Sequence, residues 1–133
     1  TLSGNPLAMA AGLAMLTHLN EHQAIFESLN TKALYLKEGI AEILSKRGIA
    51  FTINQCGSML SVHFSERPVV DFETAALANN TTFTNFFHGM LAEGIYLPPS
   101  AFESWFLNTA LQDKELEATL KAVKKVSGNL KNA

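Results

Sequence analysis

Ile49-Ala50-Phe51-Thr52-Ile53-Asn54-Gln55-Cys56-Gly57-Ser58-Met59-Leu60-Ser61-Val62-His63-Phe64-Ser65 is the stretch where the chain changes its hydrophobic period. Ile49, Phe51 and Ile53 alternate with small or polar residues. Leu60, Val62 and Phe64 alternate with Ser61, His63 and Ser65. The intervening Cys56-Gly57-Ser58 reads as a turn, so the segment predicts two antiparallel neighbouring strands. Immediately upstream the period is different. From Ala24 to Arg47 the apolar residues Ile25, Leu29, Ala33, Leu36, Ile40 and Leu44 recur in steps of three and four with Lys and Glu between them, and Gly48 follows as a stop. That spacing predicts one long amphipathic helix.

The same reading extends in both directions. Thr1-Leu2-Ser3-Gly4-Asn5-Pro6 is a turn leading into a helix from Pro6 to about Leu19, and Pro6 suits a first helical position because its missing N–H would be unpaired there. This helix is apolar on nearly every face and kept thin by Ala8, Ala10, Ala11, Gly12 and Ala14, so something must cover it. On the other side, Glu66-Arg67-Pro68 breaks the second strand and a variable stretch runs from Val69 to Asn80. A helix is expected from about Phe83 to Glu93, with Phe83, Phe86, Phe87, Met90 and Leu91 on one face and Gly94 closing it. Ile95 to Leu97 reads as a short strand ended by Pro98-Pro99, and Ser104 to Leu107 as another. Asp113 is expected to cap a last helix carrying Leu116, Leu120, Val123, Val126 and Leu130. The order predicts an α+β fold, a small antiparallel or mixed sheet of three to four strands with helices on one face.

At 133 residues and 47% hydrophobic composition the chain is sized for one domain with a real core. Its net charge of −2 comes from mixed charges without a long basic or acidic run, which argues against nucleic acid or an anionic membrane surface as partner. Cys56 is the single cysteine, so an internal disulfide and a multi-cysteine zinc site are excluded. The apolar opening breaks at Thr17-His18-Leu19-Asn20-Glu21-His22, too soon to span a bilayer, and lacks the basic start of a signal peptide. A soluble protein is expected. The opening itself, with no initiating methionine and an uncovered helix, reads as part of something larger.

Several residues invite a chemical reading. The backbone N–H groups at the first helix start, flanked by Thr1 and Ser3, can hold an anion such as phosphate, although most capped helix starts bind nothing. His18 and His22 have the i, i+4 spacing of two ligands on one helical face, but only Glu21 lies near to complete a set, so no metal site is expected. Cys56 has no local base and reads as a half-buried structural thiol. Trp105 and the phenylalanines 83, 86, 87, 102 and 106 read as core. Glu103 is different: it follows Pro98-Pro99 and sits between Phe102 and Trp105, an arrangement that can aim one carboxylate from a rigid apolar loop. A carboxylate held against aromatics is suited to accepting a proton or pairing with an ammonium, and a surface glutamate after a tight turn is the plain alternative. No second acid, Ser/His pair or phosphate loop completes a catalytic set within the chain.

Three stretches carry a resemblance along essentially the whole chain: Thr1 to Pro6 with the alanine-rich helix behind it, Gly57-Ser58-Met59 opening a strand, and Met90-Leu91-Ala92-Glu93-Gly94-Ile95-Tyr96-Leu97-Pro98-Pro99-Ser100-Ala101-Phe102-Glu103. Together they resemble the C-terminal part of the glutamate-1-semialdehyde aminomutase family, within the class III aminotransferases. The resemblance implies a fold-type I pyridoxal-phosphate enzyme in which residues 1–22 form the connecting helix from a large cofactor domain and residues 23–133 the small C-terminal α/β domain. It implies a cytoplasmic homodimer that isomerises glutamate-1-semialdehyde to 5-aminolevulinate in tetrapyrrole (porphyrin) biosynthesis. Thr1 matches the threonine that reaches the cofactor phosphate of the opposite subunit, and Glu103 matches the active-site glutamate near the substrate. The Schiff-base lysine belongs to the large domain, so pyridoxal 5'-phosphate is not expected to be covalently bound to this chain, which taken alone is expected to be inactive.

The chain departs from the family at Ser104-Trp105-Phe106, where Ala-Gly-Phe is frequent, and at Leu111, where a histidine is common; both bear on the shape of the local pocket. Two alternatives stay open: a fragment of another class III aminotransferase, and a free-standing domain that dimerises through its apolar first helix.

Overall fold

The computed structural model describes residues 3–130. Helix α1 spans Pro6–Glu21 and α2 Ala24–Lys46. Strands β1, Thr52–Cys56, and β2, Met59–His63, form the expected hairpin. A short helix α3, Phe72–Ala76, and a longer α4, Asn80–Ala92, precede strand β3, Trp105–Phe106, and helix α5, Asp113–Val126, follows it.

The sheet has the order β1-β2-β3 with both pairs antiparallel. Cys56 faces Met59 across the hairpin, which leaves Gly57 and Ser58 as a two-residue loop, and Gly57 takes φ 56° there. A non-glycine residue pays for that left-handed backbone, so the Gly is what permits so short a connection. At the end of α2, Gly48 (φ 66°) lets Ile49 N–H donate back to the Leu44 carbonyl at 3.1 Å, closing the helix and launching the chain towards β1.

Because the side-chain period of a strand is two, the register sorts each residue to a face. Ile53, Leu60, Val62 and Trp105 point to the helical layer. There they join Ala33, Leu36, Ile40 and Leu44 of α2, Phe83, Phe86 and Met90 of α4, and Leu116, Val123 and Val126 of α5 in one core. Gln55 lies on the same face, and its Nε2 donates to Asn30 Oδ1 of α2 at 3.3 Å. Phe86, fully buried, sits edge-on to Phe64 (5.4 Å) and stacked over Trp105 (6.5 Å), linking α4 to the sheet. Thr52, Asn54, Ser61, His63, Cys56 and Met59 point the other way, and residues 65–79 fold back as a strap over part of that second face. Two side chains of β1 tie the strap down: Thr52 Oγ1 donates to the Arg67 carbonyl at 3.1 Å and Asn54 Nδ2 to the Val69 carbonyl at 2.9 Å.

Several expectations change. Ile95–Leu97 is not a strand, and the described sheet has three strands. The Ile95 N–H is spent on the Met90 carbonyl at 2.9 Å, and Pro98 and Pro99 have no donors to offer a ladder. The stretch Val69–Asn80 holds α3, capped by Asp71, whose carboxylate accepts from Thr74 N–H at 2.8 Å and Thr74 Oγ1 at 2.7 Å. Helix α4 starts at Asn80, three residues before Phe83, because Asn79 Oδ1 caps it by accepting from Thr82 N–H at 2.9 Å. At α5 the cap residue is Gln112, not Asp113; its N–H donates to Glu115 Oε2 at 2.8 Å. Cys56 is exposed, not half-buried, because it stands at the hairpin end on the second face.

Helix α1 behaves as its composition implies. None of its residues is buried, Leu19 alone is half-buried, and Leu7, Met9, Leu13, Met15 and Leu16 are each 59–79% exposed. Among the described residues nothing covers it.

Candidate functional site

The turn from Pro98 to Ser104 is held by its ends and open at its apex. Leu97, Ala101 and Trp105 are buried in or beside the core, whereas Phe102 and Glu103 are exposed. Within the turn, Ser100 organises the backbone twice: its Oγ accepts from Phe102 N–H at 3.2 Å and its carbonyl from Glu103 N–H at 3.1 Å. Two prolines and these bonds fix the backbone that carries Glu103, so the carboxylate is presented from a defined position to whatever approaches that surface. It is not buried against the neighbouring aromatics.

The departures at 104–106 and 111 act on packing. Trp105 is directed into the core opposite Leu60, and Phe106, opposite Met59, is 70% exposed on the second face. Leu111 packs against the core, and its carbonyl accepts from Lys32 Nζ, which bridges α2 to the loop behind β3. Phe106 keeps the phenylalanine of the family pattern, so the local pocket differs from it through the half-buried Ser104, while the Trp105 ring is taken up by the core.

Thr1 lies outside the described residues. Of the N–H groups at the start of α1, those of Leu7 and Ala8 are taken by Asn5 Oδ1, at 3.0 and 3.2 Å. An anion at this end would therefore meet the turn before Asn5, not those two donors. His18 lies in the last turn of α1 and His22 is the residue that caps it; their rings stack at 4.2 Å and His22 Nδ1 is hydrogen-bonded to the His18 carbonyl at 2.8 Å. Among the described residues no group of three or more His, Cys, Asp and Glu side chains is arranged to hold a metal ion.

A groove of about 610 Å³ runs between Gly48–Ala50, the turn at Phe64–Arg67 and the start of α4, and shares no residue with the Glu103 turn. A smaller one, about 290 Å³, lies on the second face of the sheet beneath the strap and reaches Phe102. His63 lines it. That imidazole is 6% exposed, its Nδ1 is buried without a hydrogen-bond partner among the described residues, and burial holds its pKa below the ordinary 6.5. His63 was one of four histidines in the sequence with nothing local to mark it. Its burial comes from the strap, whose folding back no periodicity announces.

No protein-family model matches the chain. Curated relatives do. It is 58% identical over 130 residues, 98% of its length, to a protein of Flavobacterium psychrophilum named glutamate-1-semialdehyde 2,1-aminomutase, and 46% identical over 125 residues to the protein of that name from Thermus thermophilus. The chain spans about 30% of the length of each. Among solved structures it superposes on an omega-transaminase from Sphaerobacter thermophilus with a TM-score of 0.78, at 24% identity, covering 98% of this chain and 29% of that one. A transaminase solved with PLP bound gives a TM-score of 0.74 at 20% identity, over 95% of this chain and 28% of that one. At such identities the structures establish the fold, an α+β arrangement shared with transaminases. No described helix is long and apolar enough to cross a membrane. Along nearly its whole length the chain is 40–58% identical to the C-terminal part of proteins named glutamate-1-semialdehyde 2,1-aminomutase.

Proposed function

We propose that this chain is the C-terminal portion of a pyridoxal-phosphate-dependent aminomutase that converts glutamate-1-semialdehyde to 5-aminolevulinate in tetrapyrrole biosynthesis, acting as a cytoplasmic homodimer. The observation that carries the reading is the 58% identity to an aminomutase across 98% of the chain. In the division proposed here, residues 1–22 connect to a cofactor domain and residues 23–133 form the small domain. The exposed apolar surface of α1 is the face such a neighbour would cover.

Bound in the whole enzyme, the cofactor supplies the electron sink for exchanging an amino group with the substrate. The residues of this chain would do narrower work. Glu103, on its exposed and hydrogen-bonded turn, fits a group that faces a small polar ligand: its Oε atoms pair with the substrate's amino group or accept a proton from it. The buried flanks Leu97, Ala101 and Trp105 keep that carboxylate from following the ligand, which is the positional contribution a rigid scaffold makes. Thr1 would reach the cofactor phosphate of the opposite subunit, by its match to the family's threonine.

Glu103→Gln in the full-length protein tests the assignment. Turnover is expected to fall by about 10²-fold or more, the usual scale for losing a proton-transfer group, while the cofactor absorption spectrum stays largely as in the wild type. Unchanged turnover would remove Glu103 from the site.

A further inference from the structure

His63 is the one buried side chain among the described residues left with an unpaired polar nitrogen, and its place is mechanically significant. It is the last residue of β2, immediately before the chain leaves the sheet as the strap, and it lies under that strap with Asn54, Val69, Ala75 and Phe72 around the same cavity. Phe72 in turn meets Phe102, the neighbour of Glu103, at 5.5 Å between ring centroids. One short path therefore runs from the imidazole through the strap to the turn that carries Glu103.

We propose that neutral His63 is the strut that keeps the strap of residues 65–79 closed on the sheet, and that protonating it releases the strap and with it the Phe72–Phe102 contact beside Glu103. A neutral imidazole lines the space beneath Val69 and Phe72 with Nδ1 buried and one hydrogen bond unmet; an imidazolium there adds charge at a ring whose Nδ1 has no partner to receive it. The groups that face it from each packed element do not compensate. From β1 come Thr52, directly opposite, and Asn54, both uncharged, with Asn54 Nδ2 committed to the Val69 carbonyl. From the strap comes Asp71, whose carboxylate already accepts two hydrogen bonds from Thr74, while Glu66, Arg67 and Glu73 are exposed and do not line the cavity. From the 98–104 turn comes Phe102; Glu103, next along, is exposed and outside the lining. The strap is attached through two side-chain bonds from β1, one backbone bond from Asn79 N–H to the Phe64 carbonyl and the buried Val69, Ala75 and Ala78, and contributes no strand to the sheet, so it is the element that opens at least cost.

The sign follows from linkage. With its folded pKa below the ordinary 6.5, His63 binds fewer protons in the closed state than in the open one, so closure is complete above about pH 6.5 and weakens as pH falls below it. One proton changes the opening equilibrium by at most tenfold per pH unit.

Hydrogen exchange read by mass spectrometry on the full-length protein at pH 7.5 and 5.5, corrected for intrinsic rates, tests this. Peptides covering 65–79 and 99–104 should lose protection by up to about tenfold at the lower pH while peptides of α2 and α5 keep theirs. His63→Phe, which fills the space without a titrating group, should hold the strap protected at both. Equal protection of the wild type at the two pH values would overturn the proposal, as would a pH effect that survives in His63→Phe. So would tighter protection at pH 5.5, the mark of an imidazolium paired with Asp71. Should the variant not fold, the exchange of the His63 ring C2–H in the wild type decides by its midpoint: below 6.5 it supports the strut, at or above 6.5 it refutes it. None of these readouts depends on whether Glu103 acts on substrate, so they fail independently of the aminomutase assignment.

Discussion

Gly89→Ala should destabilise the chain even though alanine is the better helix former. In the interior of α4 the exchange favours the helix by about 1 kcal/mol. Against that, a Cβ on residue 89 would lie 2.5 Å from Val126 Cγ1 and 3.1 Å from Cγ2, where α4 and α5 touch. Valine in a helix has one strongly preferred χ1, so its methyls cannot swing aside, and the two helices must separate by a few tenths of an ångström or more. Overpacking of this kind costs about 1–3 kcal/mol, so the expected net loss is about 1 kcal/mol. Gly39→Ala is the control. It meets Leu120 Cδ1 at 2.6 Å and Cδ2 at 2.8 Å, the far end of a side chain with a second torsion to turn, so the clash is relieved and the net change should lie within about 0.5 kcal/mol of zero. Urea unfolding of the single variants, of Val126→Ala and of the Gly89→Ala/Val126→Ala pair closes the cycle. Val126→Ala alone should cost about 1.6 kcal/mol for two buried carbons. The pair should be less destabilised than the sum by about 1–2 kcal/mol. A Gly89→Ala chain as stable as the wild type, or an additive double variant, would refute the close approach of the two helices.

Asn79→Ala removes the cap of α4 and should cost about 1 kcal/mol in the same assay, with Asn79→Asp close to neutral because its carboxylate can still accept from Thr82 N–H. Asp71 titrates below its ordinary 3.8 because the Thr74 hydroxyl, and then the Thr74 N–H, bond its carboxylate. Its stabilising contribution is therefore whole above that value and lost as pH falls through the lowered one. Thr74→Ala should move the Asp71 midpoint back upward by carboxyl-detected NMR titration.

What the sequence made legible was whatever is decided within a turn or a strand. The 3.6-residue spacing of Leu36, Ile40 and Leu44 and the alternation of Leu60, Val62 and Phe64 each fix which face is buried, and all six residues lie in the core. Ile95–Leu97 misled because an apolar run marks burial, which Leu97 has, but says nothing about whether neighbours can supply ladder bonds. Helix α3 was hidden by its five residues, too few for a period. The Glu103 turn was legible through its prolines and its family pattern. Its exposure, like the burial of His63, depends on where distant segments come to rest, and no local pattern encodes that.

The packing of α2 on α5 also sets a schedule for the nascent chain. Gly39 against Leu120 and the Arg47 guanidinium on the Lys124 carbonyl, at 2.7 Å, show that the buried stripe of the second helix is completed by the fifth. Roughly 80 residues separate the end of one from the end of the other. At about 5–20 residues per second of synthesis, the oily side of α2 waits on the order of 4–16 s for its lid. Throughout that interval the hairpin can form but the core cannot close, so chaperone engagement, or aggregation in its absence, has its window before α5 emerges.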